Sequence, residues 1–143
     1  MDSDESILFF YEEMEDFSLT NPDNIREWLV KVISDEGYEP SAINYIFCND
    51  NYLHKINIDY LNHDTYTDII TFDNSDEEKM IEGEIYISID RVKENAALNH
   101  TTFDNELHRV MAHGVLHLVG YNDKTEKEKK AIRKKEDECL LLL

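Results

Sequence analysis

The segment at residues 81–89 alternates without a break between two kinds of residue. Ile81, Gly83, Ile85, Ile87 and Ile89 share one side of an extended chain, and the residues between them are polar or aromatic. Successive side chains of a strand point to opposite faces, so this pattern predicts a strand with one buried face. Such a strand requires a sheet around it and a layer packed on its apolar side.

The rest of the chain supplies both. β-Branched and aromatic runs predict three further strands, and apolar residues at helical spacing predict helices. The three strands are expected at 6–11, 42–49 and 67–73. The first helix is expected at 22–36, after an Asn21 cap and before a stop at Gly37, and the second at 50–61. Three more helices follow: a short one capped by Asp90, one from Thr101 or Thr102 to 119, and a last one that begins with a Thr125–Glu128 capping box. The pattern predicts an α+β fold of about four strands and about five helices, with one sheet face covered by helices.

The chain is strongly acidic. It has 143 residues, with 32 Asp and Glu against 14 Lys and Arg, and a formal net charge of −18. This balance excludes a simple basic nucleic-acid clamp but leaves open a local cationic site made by a bound metal ion. The length suits one domain, and 41% hydrophobic residues supply a core. We therefore expect a single domain over residues 1–143.

The sequence favours a cytoplasmic protein. No stretch approaches the roughly 18 apolar residues of a membrane span, and the first residues are acidic where a signal peptide is basic. Cys48 and Cys139 lie far apart in apolar surroundings. We expect both to be buried free thiols rather than a disulfide or a metal pair.

The last predicted helix carries the one basic cluster of the sequence. This cluster has two interpretations: a solvated helix face balanced by the neighbouring glutamates, which the charge balance favours, or a contact with RNA. The closing run at 139–143 is expected to pack on the core, because exposed leucines would favour aggregation. The cluster consists of Lys124, Lys127, Lys129, Lys130, Arg133, Lys134 and Lys135, with glutamates at 126, 128, 136 and 138.

The segment at 113–123 (H-G-V-L-H-L-V-G-Y-N-D) indicates a metal site. His113 and His117 are four residues apart, so on a helix they point the same way. Gly120 can end that helix in a left-handed conformation, and Asp123 can then return as a third ligand. Two histidines and a carboxylate suit one divalent ion, for which zinc is favoured, with nickel, iron or manganese left open. A capped helix with two polar histidines is the alternative.

The same segment lacks the general base of the common zinc proteases. In H-E-x-x-H the residue after the first histidine is a glutamate, and here it is Gly114. Glycine inside a helix is unfavourable by about 1 kcal/mol relative to alanine. We interpret it as a point where a strand or a substrate backbone comes close. Any general base must come from another element.

These residues resemble the signature of the YbeY family of bacterial endoribonucleases, H-G-x-L-H-L-x-G-Y-D-H. Two other blocks are similar to that family: 61–72 (L-N-H-D-T-Y-T-D-I-I-T-F) resembles R-x-x-D-x-P-T-[DN]-V-L-S-F, and 83–88 (G-E-I-Y-I-S) resembles G-D-I-x-I-S. Glu106 and Leu107, before the histidines, fit as well. The resemblance covers much of the chain.

The resemblance implies a metal-dependent, single-strand-specific endoribonuclease. Members of the family act in maturation of the 3′ end of small-subunit (16S) ribosomal RNA and in ribosome quality control. The implied partners are ribosomal RNA and the small ribosomal subunit with its proteins, with no membrane and no DNA expected. The implied fold is a mixed sheet with the histidine helix packed across it.

Three positions depart from the family pattern. Asp123 stands where the family has a third histidine, and an anionic ligand makes a bound water less acidic. Leu61 replaces the family's arginine, so a phosphate contact is missing, for which Lys124 or His63 is a candidate substitute. Glu84 replaces an aspartate and is a candidate base or water-orienting group, or else a polar residue on an exposed strand face.

Aromatic side chains on which bases can stack would help an acidic protein to bind single-stranded RNA. Tyr66, Tyr86 and Tyr121 are candidates, although each also suits the core or the rim of a site. The net charge predicts weak, salt-sensitive affinity for free RNA. Two other functions remain: a metal-stabilised ribosome-assembly factor without robust nuclease activity, favoured by Leu61, and a metzincin-like peptidase, opposed by Gly114.

Overall fold

The computed structural model describes residues 6–63 and 67–143. Within these ranges the chain forms four strands and five helices. The strands are β1 (Ile7–Tyr11), β2 (Glu39–Cys48), β3 (Ile69–Asp73) and β4 (Met80–Ser88). The helices are α1 (Pro22–Asp35), α2 (Asp50–Leu61), α3 (Ile89–Leu98), α4 (Phe103–Leu118) and α5 (Glu126–Leu140).

The strands form one mixed sheet in the order β1-β2-β4-β3. Strands β1, β2 and β4 run parallel, and β3 lies antiparallel to β4 at the edge. The parallel pairs are joined through helices, whereas β3 and β4 follow each other through a short loop, as each pairing requires. The predicted α+β fold with a mixed sheet is confirmed.

The apolar face of β4 forms the centre of the main core. Ile81, Ile85 and Ile87 are at most 1% exposed, as the alternation predicted. Helices α1 and α4 pack on this face of the sheet. The hydroxyl of Tyr45 on β2 donates a hydrogen bond to the carbonyl of Met111 in α4 at 2.7 Å, which ties the histidine helix across the sheet.

The second face of the sheet is covered in part by α2. A smaller cluster of Cys48, Leu53, Ile56 and Ile70 packs there, with Tyr86 at its margin. The expectation that helices cover only one face is therefore wrong at this end of the sheet. The signal lay in Ile70 and Cys48, which are apolar residues at the alternate positions of their strands.

Two local expectations need correction. Ser88, not Asp90, caps α3: its hydroxyl oxygen accepts the backbone N–H of Arg91 at 3.2 Å, so β4 passes directly into the helix. In the closing run, Cys139 is buried, but Leu141 is 85% exposed, because α5 ends at Leu140 and the last residues leave the core.

Other local expectations are confirmed. Thr125 and Glu128 form the reciprocal capping box of α5. Cys48 and Cys139 are free and buried. Over the described residues, no helix has both the length and the apolar composition needed to cross a membrane.

Gly114 lets α4 lie directly on the sheet. A Cβ at this position would stand 2.9 Å from both Cδ1 and Cγ2 of Ile85 on β4, and 3.3 Å from Cδ1 of Ile69 on β3. The close approach expected at Gly114 is therefore made by strand side chains. It sets the depth at which His113 and His117 sit above the sheet.

We expect Gly114→Ala to lower the free energy of unfolding. Overpacking against fully buried Ile85 costs about 1–3 kcal/mol, and the higher helix propensity of alanine returns about 1 kcal/mol. The net loss, measured by urea unfolding, should be at most roughly 2 kcal/mol. In an Ile85→Ala background the same substitution should cost less or become stabilising, and an equal loss in both backgrounds would contradict the contact.

Candidate metal centre

One face of α4 places two imidazoles side by side. His113 and His117 are one helical turn apart, and their Nε2 atoms are 2.9 Å from each other. Their side chains are partly buried, at 20% and 27% exposure. Two imidazole nitrogens this close can share one metal ion, and when no ion is bound one of them can donate a hydrogen bond to the other.

The turn after α4 brings in the third group. The helix ends in a Schellman arrangement: the backbone N–H of Gly120, at φ +109°, bonds to the carbonyl of His117, and that of Tyr121 bonds to Leu116. The chain reverses there, and Oδ2 of Asp123 comes to lie 3.3 Å from Nε2 of each histidine. The predicted spacing thus converges on one point.

The three donor atoms fit a divalent ion of the zinc type. Ligand bonds of 2.0–2.1 Å in tetrahedral geometry place neighbouring ligand atoms about 3.3 Å apart. The two histidine–aspartate distances match that edge, and the histidine–histidine distance is slightly shorter. Among residues 6–63 and 67–143, these three are the group of His, Cys, Asp and Glu side chains close enough to share an ion.

A buried carboxylate orients the first histidine. Glu136 of α5 is 4% exposed, and its Oε2 lies 2.5 Å from Nδ1 of His113. Because an ionised carboxylate can only accept, Nδ1 carries the proton and Nε2 is left for a metal. The other oxygen, Oε1, accepts a hydrogen bond from Nη1 of Arg109 at 3.1 Å, and Arg109 also reaches Asp137 at 2.6 Å.

The charges around His113 favour its protonated form when no metal competes. Burial by itself would lower its pKa, but the hydrogen bond and charge of Glu136, with Asp123 and Asp68, raise the pKa above its ordinary value. A proton and a metal ion then compete for the same imidazole, and binding of the ion releases that proton. For the Asp68 carboxyl, burial raises the pKa, and the charge of His113 acts in the opposite direction.

His113, His117 and Asp123 line an open cleft of about 1030 Å³. One side of the cleft is formed by the end of α2 and by β3, with Leu61, His63 and Asp68. The other side is formed by α4 and α5, with Arg109 and Glu136. Lys124, Lys129 and Arg133 also line it.

The structure separates the remaining predicted site residues into three groups. Lys124 and His63 line the cleft with the histidines, as does Leu61. Tyr121 points away, because its hydroxyl donates to Glu36 of the segment after α1 at 2.8 Å. Tyr66 lies outside the described residues.

Glu84 and Tyr86 lie on the opposite face of the sheet from the histidines. The core face of β4 is set by Ile85, which contacts α4 at Gly114, so its neighbours at 84 and 86 point to the α2 side. Tyr86 packs edge-on against Phe72 there. The expectation that Glu84 acts as base is therefore not supported by its position: strand alternation identified a polar face but not the side on which the metal ligands stand.

Sequence reasoning missed three groups of the cleft: Glu136, Arg109 and Asp68. Glu136 was interpreted as part of a solvated helix face, yet it is buried with Ile132 and Cys139. A signal existed, because positions 132, 136 and 139 have the spacing of a core-facing stripe, and a glutamate in such a stripe needs a partner. Asp68 gave no signal apart from the resemblance.

Comparison with known proteins matches the chain to one family. The family model described as endoribonuclease YbeY matches residues 11–143. Proteins named endoribonuclease YbeY from Cytophaga hutchinsonii and Amoebophilus asiaticus are 54% and 50% identical, over 96% and 95% of this chain and 96% and 92% of their own lengths. The solution structure of a Thermotoga maritima protein, 28% identical, matches with a TM-score of 0.68 over 94% of this chain and 87% of its own.

We expect Glu136→Gln to weaken zinc binding by about 10- to 100-fold. The amide keeps the shape of the side chain but removes the charge that raises the basicity of His113. Competition with a chromophoric chelator at neutral pH measures the affinity. Glu138→Gln, which removes the same charge from an exposed position on α5, is the matched control, and equal affinities of the two variants would contradict the role of Glu136.

Proposed function

This chain belongs to the YbeY endoribonuclease family, and we propose that it is a metal-dependent, single-strand-specific endoribonuclease. Its proposed task is maturation of the 3′ end of small-subunit (16S) ribosomal RNA and ribosome quality control, in the cytoplasm and with the small subunit as partner. Family membership supports the nuclease role in ribosomal RNA processing. The proposal treats residues 1–143 as one catalytic domain.

The convergence of His113, His117 and Asp123 is the observation that carries this proposal. Their donor atoms lie 2.9–3.3 Å apart in an open cleft rather than in a closed core. A divalent ion held by these three residues, with zinc the favoured species, would polarise a phosphodiester oxygen and lower the pKa of a water molecule. An open cleft suits a flexible strand as substrate, which must be able to enter and leave.

Asp68 is the proposed proton acceptor in place of Glu84. It lies at the start of β3 in the same cleft as the histidines, and its backbone carbonyl accepts the N–H of Ser88 at 3.0 Å, which fixes its position. Burial raises the pKa of its carboxyl, which makes the carboxylate a stronger base than an exposed one. Its task would be to orient an attacking hydroxyl group and to take its proton.

Leu61 favours a second candidate function. This residue lines the cleft at 40% exposure and brings apolar surface where the family's arginine would bring charge. A chain that holds its metal but contacts phosphate poorly could act as a metal-stabilised ribosome-assembly factor. A peptidase is not proposed, because the position of the protease glutamate is Gly114, packed against the sheet.

Removal of one ligand should remove the metal and the activity together. We expect wild type to hold about one ion per chain, and His117→Ala and Asp123→Ala to lose both the ion and cleavage of a fragment from the 3′ end of 16S RNA. Elemental analysis and gel assays measure the two quantities. A wild type that holds metal but never cuts RNA would favour the assembly factor, and a wild type without metal would contradict the proposed site.

Asp68→Asn tests the proton acceptor. We expect kcat to fall by about 10²- to 10⁴-fold while the metal content stays unchanged, because the amide cannot take a proton. Glu84→Gln tests the residue that the sequence indicated, and we expect it to retain activity because it lies on the other face of the sheet. Equal losses in the two variants would contradict the assignment of Asp68.

A further inference from the structure

The basic residues of this acidic chain are concentrated beside the metal centre. Seven of its 14 Lys and Arg residues lie between positions 124 and 135. Three of them line the cleft, and they are defined here as the cation row: Lys124, Lys129 and Arg133. The side of the cleft formed by α2 and β3 contributes no Lys or Arg within the described residues that line it.

Further basic residues extend from the cation row out of the cleft. A shallow groove of about 430 Å³ runs over α5 and is lined by Lys129, Lys130, Arg133, Lys134 and Asp137. Lys129 and Arg133 line both the cleft and this groove. A charged path therefore leads from the metal ligands across the exposed face of the last helix.

Most of these cations are not neutralised by the protein. Within the described part of the chain, Lys124, Lys130, Arg133 and Lys134 form no ion pair, and Lys129 has only an exposed neighbour, Glu126, at 3.7 Å. The one carboxylate in the groove, Asp137, is itself paired with Arg109 at 2.6 Å. Lys135, by contrast, points to the other side of the helix and binds Glu36 at 2.9 Å.

We propose that the phosphate backbone of a single-stranded RNA leaves the metal centre over α5, with phosphates on Arg133 and Lys129 and then on Lys130 and Lys134. The occupant is polyanionic, because the path is lined by cations that the protein leaves largely without ion pairs, in a chain whose net charge of −18 otherwise opposes phosphate within a Debye length of about 8–10 Å. It is a strand rather than a small molecule, because the path joins a cleft to a groove. This inference rests on the proposed nuclease function.

The test compares Lys129→Glu/Arg133→Glu with Lys93→Glu/Lys127→Glu. The first pair stands on the cleft wall; the second is its control, with the same change in charge at exposed positions that line neither the cleft nor the groove. Binding to a labelled single-stranded RNA of about 12 nucleotides is measured by fluorescence anisotropy from about 50 to 200 mM salt. Circular dichroism verifies that both variants, changed only at exposed positions, remain folded.

The cleft-wall pair should bind the long RNA about tenfold more weakly, and the slope of log K against log salt should lose about 1.4, or 0.7 for each lost phosphate contact. In cleavage its KM should rise with kcat unchanged. The control pair should show only the smaller loss that its change in net charge causes, since it lies outside the proposed path. A substrate of about 3 nucleotides, too short to extend along the groove over α5, should be affected less by the cleft-wall pair than the long RNA is.

Three results would overturn the inference. If wild type binds and cuts RNA but the cleft-wall pair matches the control pair, α5 does not guide the strand, and the proposed nuclease function stands. If both pairs weaken short and long substrates alike, the effect is one of net charge rather than of a path. If wild type neither binds nor cuts RNA, the proposed function fails and the inference fails with it.

Discussion

The buried carboxylate of Glu136 is the contact on which the arrangement of the cleft depends. It accepts hydrogen bonds from Arg109 and His113 of α4, and it belongs to α5. A buried charge left without partners costs several kcal/mol, so this network holds the two helices in one relative position. The same contact fixes the imidazole of His113 and the helix that carries the cation row. Glu136 therefore positions both a candidate metal ligand and the basic residues of α5.

Much of this fold could be predicted from the periodicity of apolar residues and from the residues that begin or end helices. The alternation at 81–89, the capping box at Thr125 and the glycine stop at Gly120 are local signals, and the structure follows each of them. The three candidate metal ligands could be predicted because they lie within one helix and its terminal turn. Local sequence is enough when all members of a site are neighbours in the chain.

The parts that could not be predicted depend on tertiary contacts. The resemblance indicates Glu84 as a candidate base, but only the packing of Gly114 on Ile85 shows which face of β4 meets the histidines. Glu136 follows Asp123 by more than three helical turns of chain, and its burial depends on how α5 docks on α4. Its charged neighbours in sequence made it resemble a solvated residue, although the stripe at 132, 136 and 139 marked the buried side.

An acidic protein that acts on RNA must confine its attraction for phosphate groups to a small part of its surface. The net charge of −18 opposes approach in general, and at physiological salt that repulsion extends about 8 Å. Cations at one wall of the cleft and a metal ion bound between His113, His117 and Asp123 would then form a narrow attractive region. Because Glu136 holds α5 against His113, the basic residues of α5 keep a fixed position relative to the three candidate ligands. The excess of acidic residues elsewhere in the chain then adds specificity, because it disfavours binding of a polyanion away from this helix.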